Sequence, residues 1–254
     1  MQQNSFDTAP MAARVQNLTK TFGAGESRVH ALDDVTIGLR RGEFTAIMGP
    51  SGSGKSTLMH VMAGLDAATS GRAFIGDTEI TGLSDLDLTV LRRSRVGFVF
   101  QSFNLVPTLD VLGNITLPFE LAGRSPSAEA RRRIDALVES MGLGGRLRHR
   151  PHELSGGQQQ RVAIARALAT QPDLIFADEP TGNLDSRTGR EVLALLAAAS
   201  REHGQSIAMV THDPMAASHA DRVIFLGDGR VMADTPRQSA EAISAYMLSS
   251  EVGA

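Results

Sequence analysis

Apolar and polar positions along this chain change their period several times, and the changes mark out its elements. From Ala13 to about Arg41 the stretches ARVQNLT and ALDDVTIGL alternate at a period of two, which predicts antiparallel strands. FTAIM at Phe44–Met48 is an apolar run of strand length, and Leu58, Met59, Val61 and Met62 continue beyond it as an amphipathic helix. Ser84 reads as an N-cap, with Asp85 and Asp87 in the first turn of a short helix to about Ser94. VGFVF at Val96–Phe100, LIFAD at Leu174–Asp178, SIAMV at Ser206–Val210 and VIFLG at Val223–Gly227 predict further strands. Between residues 102 and 154 the character changes. Pro107, Pro118, Pro126 and several glycines break up helical segments there, the best of them at about Ser127–Met141. This pattern suits a helical subdomain inserted between two strands of a core. Residues 1–11 read as a flexible tail, and residues 233–254 as an extension with a final helix.

The link between the first apolar strand and its helix is GPSGSGKST at Gly49–Thr57, which fits G-x-x-x-x-G-K-[ST]. Its strand–loop–helix setting is what a phosphate-binding P-loop requires. Gly49, Gly52 and Gly54 allow close backbone approach to phosphates, and Ser51, Ser53 and Thr57 belong to the same cradle. Lys55 supplies a compact charge for the terminal phosphates, and Ser56 a hydroxyl for Mg²⁺. A second anion site is written as LSGGQQQR at Leu154–Arg161, where Ser155, Gly156, Gly157 and Gln158 open a helix at the positive end of its dipole. Two phosphate-binding turns in one chain imply closure on one nucleotide, and hence a dimer.

Further polar residues stand at predicted strand ends, where ligands collect in open α/β sheets. Asp178 is placed to hold Mg²⁺, and Glu179 to orient a water against a γ-phosphate. Gln101, after VGFVF, is placed to sense both Mg²⁺ and that water. His212, in VTHDP, has the same geometry. Phe22, in KTFGAG, either stacks on adenine or belongs to the core of the antiparallel sheet, and stacking is the favoured reading.

Composition narrows the partners. Of 254 residues 42% are apolar and the formal net charge is −3, an ordinary soluble balance that does not call for nucleic acid. The arginine clusters at Arg92, Arg93 and Arg95, at Arg131–Arg133, and at Arg146, Arg148 and Arg150 have no interleaved aromatics, so they read as solvated or partner-facing helices. Of 25 basic residues only Lys20 and Lys55 are lysine, so lysine stands where a point charge suits better than a planar fork. The absence of cysteine excludes disulfides and thiolate metal sites. No secretory leader is visible, and the longest apolar runs, such as Val192–Ala199, fall far short of the roughly 20 residues that span a bilayer. Work at a membrane would therefore need a partner there.

With these residues together, the chain resembles the ATP-binding subunit of ABC transporters over roughly residues 12–232. The resemblance implies an α/β fold: a P-loop NTPase core on a RecA-like parallel sheet, with an antiparallel β subdomain and an inserted α-helical subdomain at about 102–168. It also assigns parts. Gly49–Thr57 is then the Walker A loop, Gln101 the Q-loop, Leu154–Gln158 the signature and Leu174–Asp178 the Walker B strand. Glu179 is then the catalytic base, Asn183, Leu184 and Asp185 the D-loop, and His212 the H-loop. Phe22 stands where the family usually has a tyrosine.

In that family two subunits sandwich two Mg-ATP, each between one Walker A loop and the other subunit's signature. GPSGSGKST, VGFVFQSFNLVPTL, LSGGQQQRVAIARAL and DEPTGNLDS are similar to one branch, which contains macrolide, haem and peptide exporters, lipoprotein-release ATPases and a cell-division ATPase. GGQQQR, where the cell-division members commonly read GGEQQR, leans toward export and release. The branch implies a permease with four transmembrane helices and an extracytoplasmic domain, driven by mechanotransmission from the cytoplasmic face of the membrane. Phe103, Leu105, Val106 and Leu109 are expected near the docking groove. Two rivals remain: a membrane complex that regulates an outside enzyme or signal without moving a solute, and a soluble ABC ATPase. The latter class carries coiled-coil insertions or paired cassettes that this sequence lacks.

Overall fold

Strand β3 (Phe44–Met48) organises the molecule, because it is buried along its whole length and its two faces point into different cores. Phe44, Ala46 and Met48 face one way and Ile47 the other, as the period of two demands. A strand covered on both sides should be apolar throughout, which is why FTAIM, LIFAD and IAMV lack alternation. The computed structural model describes residues 10–23 and 25–252.

Six strands form the central sheet: β3, β6 (Val96–Phe100), β7 (Leu174–Asp178), β8 (Ile207–Val210), β9 (Arg222–Gly227) and β10 (Arg230–Pro236). Their order is β10-β9-β3-β8-β7-β6, parallel except for β10, which returns antiparallel to β9. A separate four-stranded sheet, ordered β2-β1-β4-β5, is antiparallel. It comprises β1 (Met11–Phe22), β2 (Val29–Arg40), β4 (Ser70–Ile75) and β5 (Thr78–Glu79). Helix α1 (Lys55–Met62) lies between the two sheets, with Leu58, Met59, Val61 and Met62 buried in the core they share.

The opposite face of the central sheet is covered by α5 (Gly156–Leu168), α6 (Ser186–His203), α7 (Pro214–Ala217) and α8 (Ala240–Val252). The inserted helices α3 (Val111–Leu121) and α4 (Ala128–Ser140) pack on α5, and α2 (Asp85–Arg95) flanks β6. The N-cap read from the sequence is in place, Ser84 accepting from the Asp87 N–H, and Ser127 caps α4 in the same way by accepting from the Ala130 N–H.

One detail differs from expectation. Pro118 was expected to break a helix, yet α3 runs through it to Leu121. Burial of Val111, Ile115 and Phe119 holds that helix, so tertiary packing outweighs the roughly 3 kcal/mol proline penalty. The final helix expected in residues 233–254 is present as α8, and the segment is packed onto the core. Strand β10 continues to Pro236, Ile243 of α8 is fully buried, and the Tyr246 ring lies 4.2 Å from that of Phe225. Of the expected tail at 1–11, residues 1–9 lie outside the described residues, and Met11 is already strand.

Candidate nucleotide site

Four neighbouring parallel strands, β3, β8, β7 and β6, end on the same edge of the sheet. Their C-terminal ends deliver Gly49, His212, Asp178 with Glu179, and Gln101. Residues scattered over more than half the chain thus meet because parallel strands point the same way.

The loop after β3 is built for phosphate. Gly49 (φ 152°), Gly52 (φ 82°) and Gly54 (φ 97°) hold conformations that side chains rarely adopt. At Gly54 a Cβ would stand 2.3 Å from the Ala31 carbonyl oxygen, so the loop can pass there only as glycine. The Lys55 ammonium donates to the carbonyls of Gly49 (2.8 Å) and Pro50 (2.7 Å). Burial depresses its pKa, while Glu179 and Asp178 push the other way. A buried ammonium held by its own loop is a charge set in place for an anion.

Asp178 is half-buried, and its carboxyl is pushed above the usual range by desolvation and by Glu179 beside it. A desolvated acid of this kind gains from a cation, and Ser56, Gln101 and Asp178 offer the hard oxygen donors that Mg²⁺ takes. Among the described residues no cluster of three or more His, Asp or Glu side chains forms a metal cage. The hydroxyl, amide oxygen and carboxylate are a donor set that fits Mg²⁺.

Glu179 sits in the left-handed region (φ 45°), unusual for a residue with a side chain and typical of strain held at a working site. Its backbone N–H donates to the Val210 carbonyl at 2.9 Å. Its carboxylate accepts from the His212 N–H (3.1 Å) and the Thr211 hydroxyl (3.2 Å), and the His212 Nδ1 lies 2.6 Å away. His212 thus holds the acid directly. Thr211 was not singled out in the sequence, although its place in VTHDP was a usable signal.

Gln101 is tied to Asn183. Its Nε2 donates to Asn183 Oδ1 (3.2 Å), and Asn183 Nδ2 donates to the Gln101 carbonyl (3.0 Å). The segment that follows is fixed by two residues that sequence reasoning passed over. Arg166 donates to the carbonyls of Phe103 and Asn104, both at positive φ. Asn114, fully buried, accepts from Val106 N–H and donates to the carbonyls of Val106, Leu109 and Asp110.

The second anion turn is a capping box. Ser155 Oγ accepts from Gln158 N–H, and Gln158 Oε1 accepts from Ser155 N–H. The Gln158 side chain is thereby engaged in the cap. Ser155, Gly157 and Gln158 line a hollow of about 430 Å³ with Asp185 and Arg161. The Asp185 carboxylate caps α6, accepting from Arg187 N–H, Thr188 N–H and the Thr188 hydroxyl, and these bonds hold its pKa low. Gln160, two residues further along α5, is fully buried and donates to the Pro180 carbonyl at 2.5 Å, just beyond Glu179.

Phe22 is 46% exposed, so the core alternative for this aromatic fails. Phe103, Leu105, Val106 and Leu109, expected near a docking groove, do not line the apolar groove of about 510 Å³ that the structure holds. That groove is walled by α2, α3, β6 and α5, and Asn104 is the one residue of the segment 103–109 that lines it.

Comparison with known proteins agrees with this geometry. A family described as "ABC transporter" matches residues 32–182. An uncharacterized ABC transporter ATP-binding protein, MJ0796 of Methanocaldococcus jannaschii, is 46% identical over 221 residues, covering 86% of this chain and 94% of its own. A structure described as a dimeric post-hydrolysis state of the MJ0796 cassette bound to ADP and Pi superposes with a TM-score of 0.79, covering 89% of this chain and 99% of that one. The macrolide export ATP-binding/permease protein MacB of Bartonella henselae is 46% identical over 220 residues, which are 87% of this chain but 33% of that protein.

Proposed function

The chain belongs to the ABC transporter family and is an ATP-hydrolysing P-loop protein, and on that premise we propose that it works as a homodimer powering a membrane permease for export or extraction of a substrate. The observation that carries the reading is the single sheet edge on which P-loop, Asp178, Glu179, His212 and Gln101 assemble, with the Ser155 turn left open to solvent as a second anion site. The dimeric structure of a relative bound to ADP and Pi supports the homodimer.

In this reading the glycines of the loop let its N–H groups approach the phosphates, and Lys55 turns from its loop carbonyls to the terminal ones. Ser56, Gln101 and Asp178 would hold the Mg²⁺, which would supply positive charge against the phosphates. Glu179 orients the attacking water, and His212 with Thr211 fixes the carboxylate that does so. The partner copy supplies Ser155, Gly156 and Gly157 to the γ-phosphate. Loss of that phosphate removes the anion that bridges the copies, so they separate. Phe22 carries the adenine. Asp185 acts by holding the start of α6 beside the signature turn.

Coupling runs through the groove between α2 and α3. Its floor is apolar, with Val96, Phe98 and Leu117, and Arg92 and Arg93 stand on it. A short cytoplasmic helix of a permease, apolar on one face with acidic flanks, fits such a groove. No helix among the described residues is long and apolar enough to cross a membrane, so attachment to the cytoplasmic face would come from that partner. The 46% identity with MacB favours the branch whose permeases have four transmembrane helices and an extracytoplasmic domain.

The test uses Glu179→Gln. With Mg-ATP it should dimerise on light scattering while turning over at least about 100-fold more slowly than the parent. In mild detergent it should copurify with a permease of that type. A variant that stays monomeric at saturating Mg-ATP, or recovery of the soluble chain alone, refutes the reading.

A further inference from the structure

Lysine is scarce here, and of the two present only Lys55 belongs to the phosphate loop. The other, Lys20, lies two residues before Phe22 on β1, next to an irregularity in the pairing with β2 that falls between Lys20 and Thr21. Its ammonium stands 4.8 Å from the centroid of the Phe22 ring. It is anchored from behind: Nζ donates to the Asp66 carboxylate (2.7 Å) and to the Ala67 carbonyl (2.8 Å). Both acceptors lie in the loop leaving α1, where the Leu65 and Asp66 N–H groups turn back to the His60 carbonyl. The lysine side chain is only 12% exposed, whereas Phe22 is 46% exposed.

An open ring at a strand end has little to fix its rotamer, yet this one has a cation held against one face by two hydrogen bonds. A compact ammonium with three donors can satisfy Asp66 and Ala67 and still present charge to the ring. A cation on one face also draws π density from the other, the direction that favours stacking against an electron-rich base.

We propose that Lys20 is a positioning residue for base recognition: it fixes and polarises Phe22, so that the ring is ready to receive adenine and is tied to the helix that begins in the phosphate loop. The inference rests on the reading of Phe22 as the adenine platform. Lys20 itself touches no nucleotide, and its effect reaches the ligand only through the ring.

The experiment is calorimetric titration of the full chain with Mg-ATP and with magnesium tripolyphosphate, which offers phosphates without a base. Lys20→Met, Phe22→Leu and the double variant are compared. Lys20→Met should weaken Mg-ATP about two- to fivefold, the range of a partly exposed cation–π contact, and leave tripolyphosphate unchanged. In the Phe22→Leu background it should cost nothing more. Should Lys20→Met not fold, Asp66→Asn, which loosens the anchor and keeps the ammonium, is titrated instead and should show the same pattern. The proposal is overturned by unchanged Mg-ATP affinity, by equal weakening of both ligands, or by additive losses in the double variant. A parent chain that binds Mg-ATP no better than tripolyphosphate would instead remove Phe22 from the base site, a result separate from any effect of Lys20.

Discussion

Replacing Gly157 by alanine should wedge the signature helix away from α6, and replacing Thr188 by serine should undo the damage. A Cβ on Gly157 would stand 2.2 Å from Thr188 Cγ2, well inside the roughly 3.5–4.0 Å of normal carbon contact. Thr188 cannot swing clear cheaply. It is β-branched, its hydroxyl donates to Asp185 at 2.6 Å, and its N–H donates to the same carboxylate. The helices must therefore part by more than about 1 Å, an overpacking strain of roughly 1–3 kcal/mol. For a chain of this size that lowers Tm by about 2–12 °C. Because α5 presents the second anion turn, turnover should fall as well. Thr188→Ser deletes the offending methyl and keeps the hydroxyl on Asp185. A double-mutant cycle, read by urea denaturation and by Mg-ATP turnover, should show coupling of about 1–3 kcal/mol, with the double variant close to Thr188→Ser alone. Equal cost of Gly157→Ala in both backgrounds would refute the steric argument.

Other outcomes follow from the same edge of the sheet. His212→Ala removes the side-chain contact that holds Glu179, and should lower turnover roughly 10- to 100-fold with Mg-ATP affinity nearly unchanged; a matching loss of affinity would place His212 in binding instead. Asp178→Asn should stabilise the nucleotide-free chain while abolishing turnover. The carboxyl of Asp178 is pushed up, so its charged form is disfavoured in the fold and weighs against stability at neutral pH. The gain in Tm over the parent should shrink as pH falls through that raised pKa, where the parent's own acid becomes neutral. A gain that persists or grows in acid would contradict the sign.

What the sequence disclosed was what local pattern can carry. The P-loop, the acidic strand end and the Ser155 turn were legible because each packs its chemistry into a few adjacent residues. The strands were legible because FTAIM and VGFVF are apolar runs of strand length bounded by polar or glycine-rich turns. What escaped depends on contacts between distant segments. Gln160 sits in a run of three glutamines, and nothing local says that the third is buried against the Pro180 carbonyl. Asp185 reads as an exposed acid next to the chemistry, but its oxygens are taken by the first turn of α6. The apolar residues after Gln101 were expected at the groove because of their type, whereas Asn114 and Arg166 decide where that segment goes. Helix α8 lacks a clean apolar stripe, so its anchoring through Ile243 and Tyr246 could be seen only against Phe225.

The strand order has a further consequence for synthesis of the chain. The antiparallel sheet draws all its strands from residues 11–79, so it can close early. Strand β3 cannot: its neighbours β8 and β9 begin at Ile207 and Arg222. At about 5–20 residues per second a ribosome needs roughly 10–30 s to bring them. Throughout that interval FTAIM leaves the tunnel as an apolar strand with both edges open, next to an unfinished phosphate loop. Of the two sheets, the one that carries the chemistry is therefore the one whose nascent form most needs protection by a chaperone.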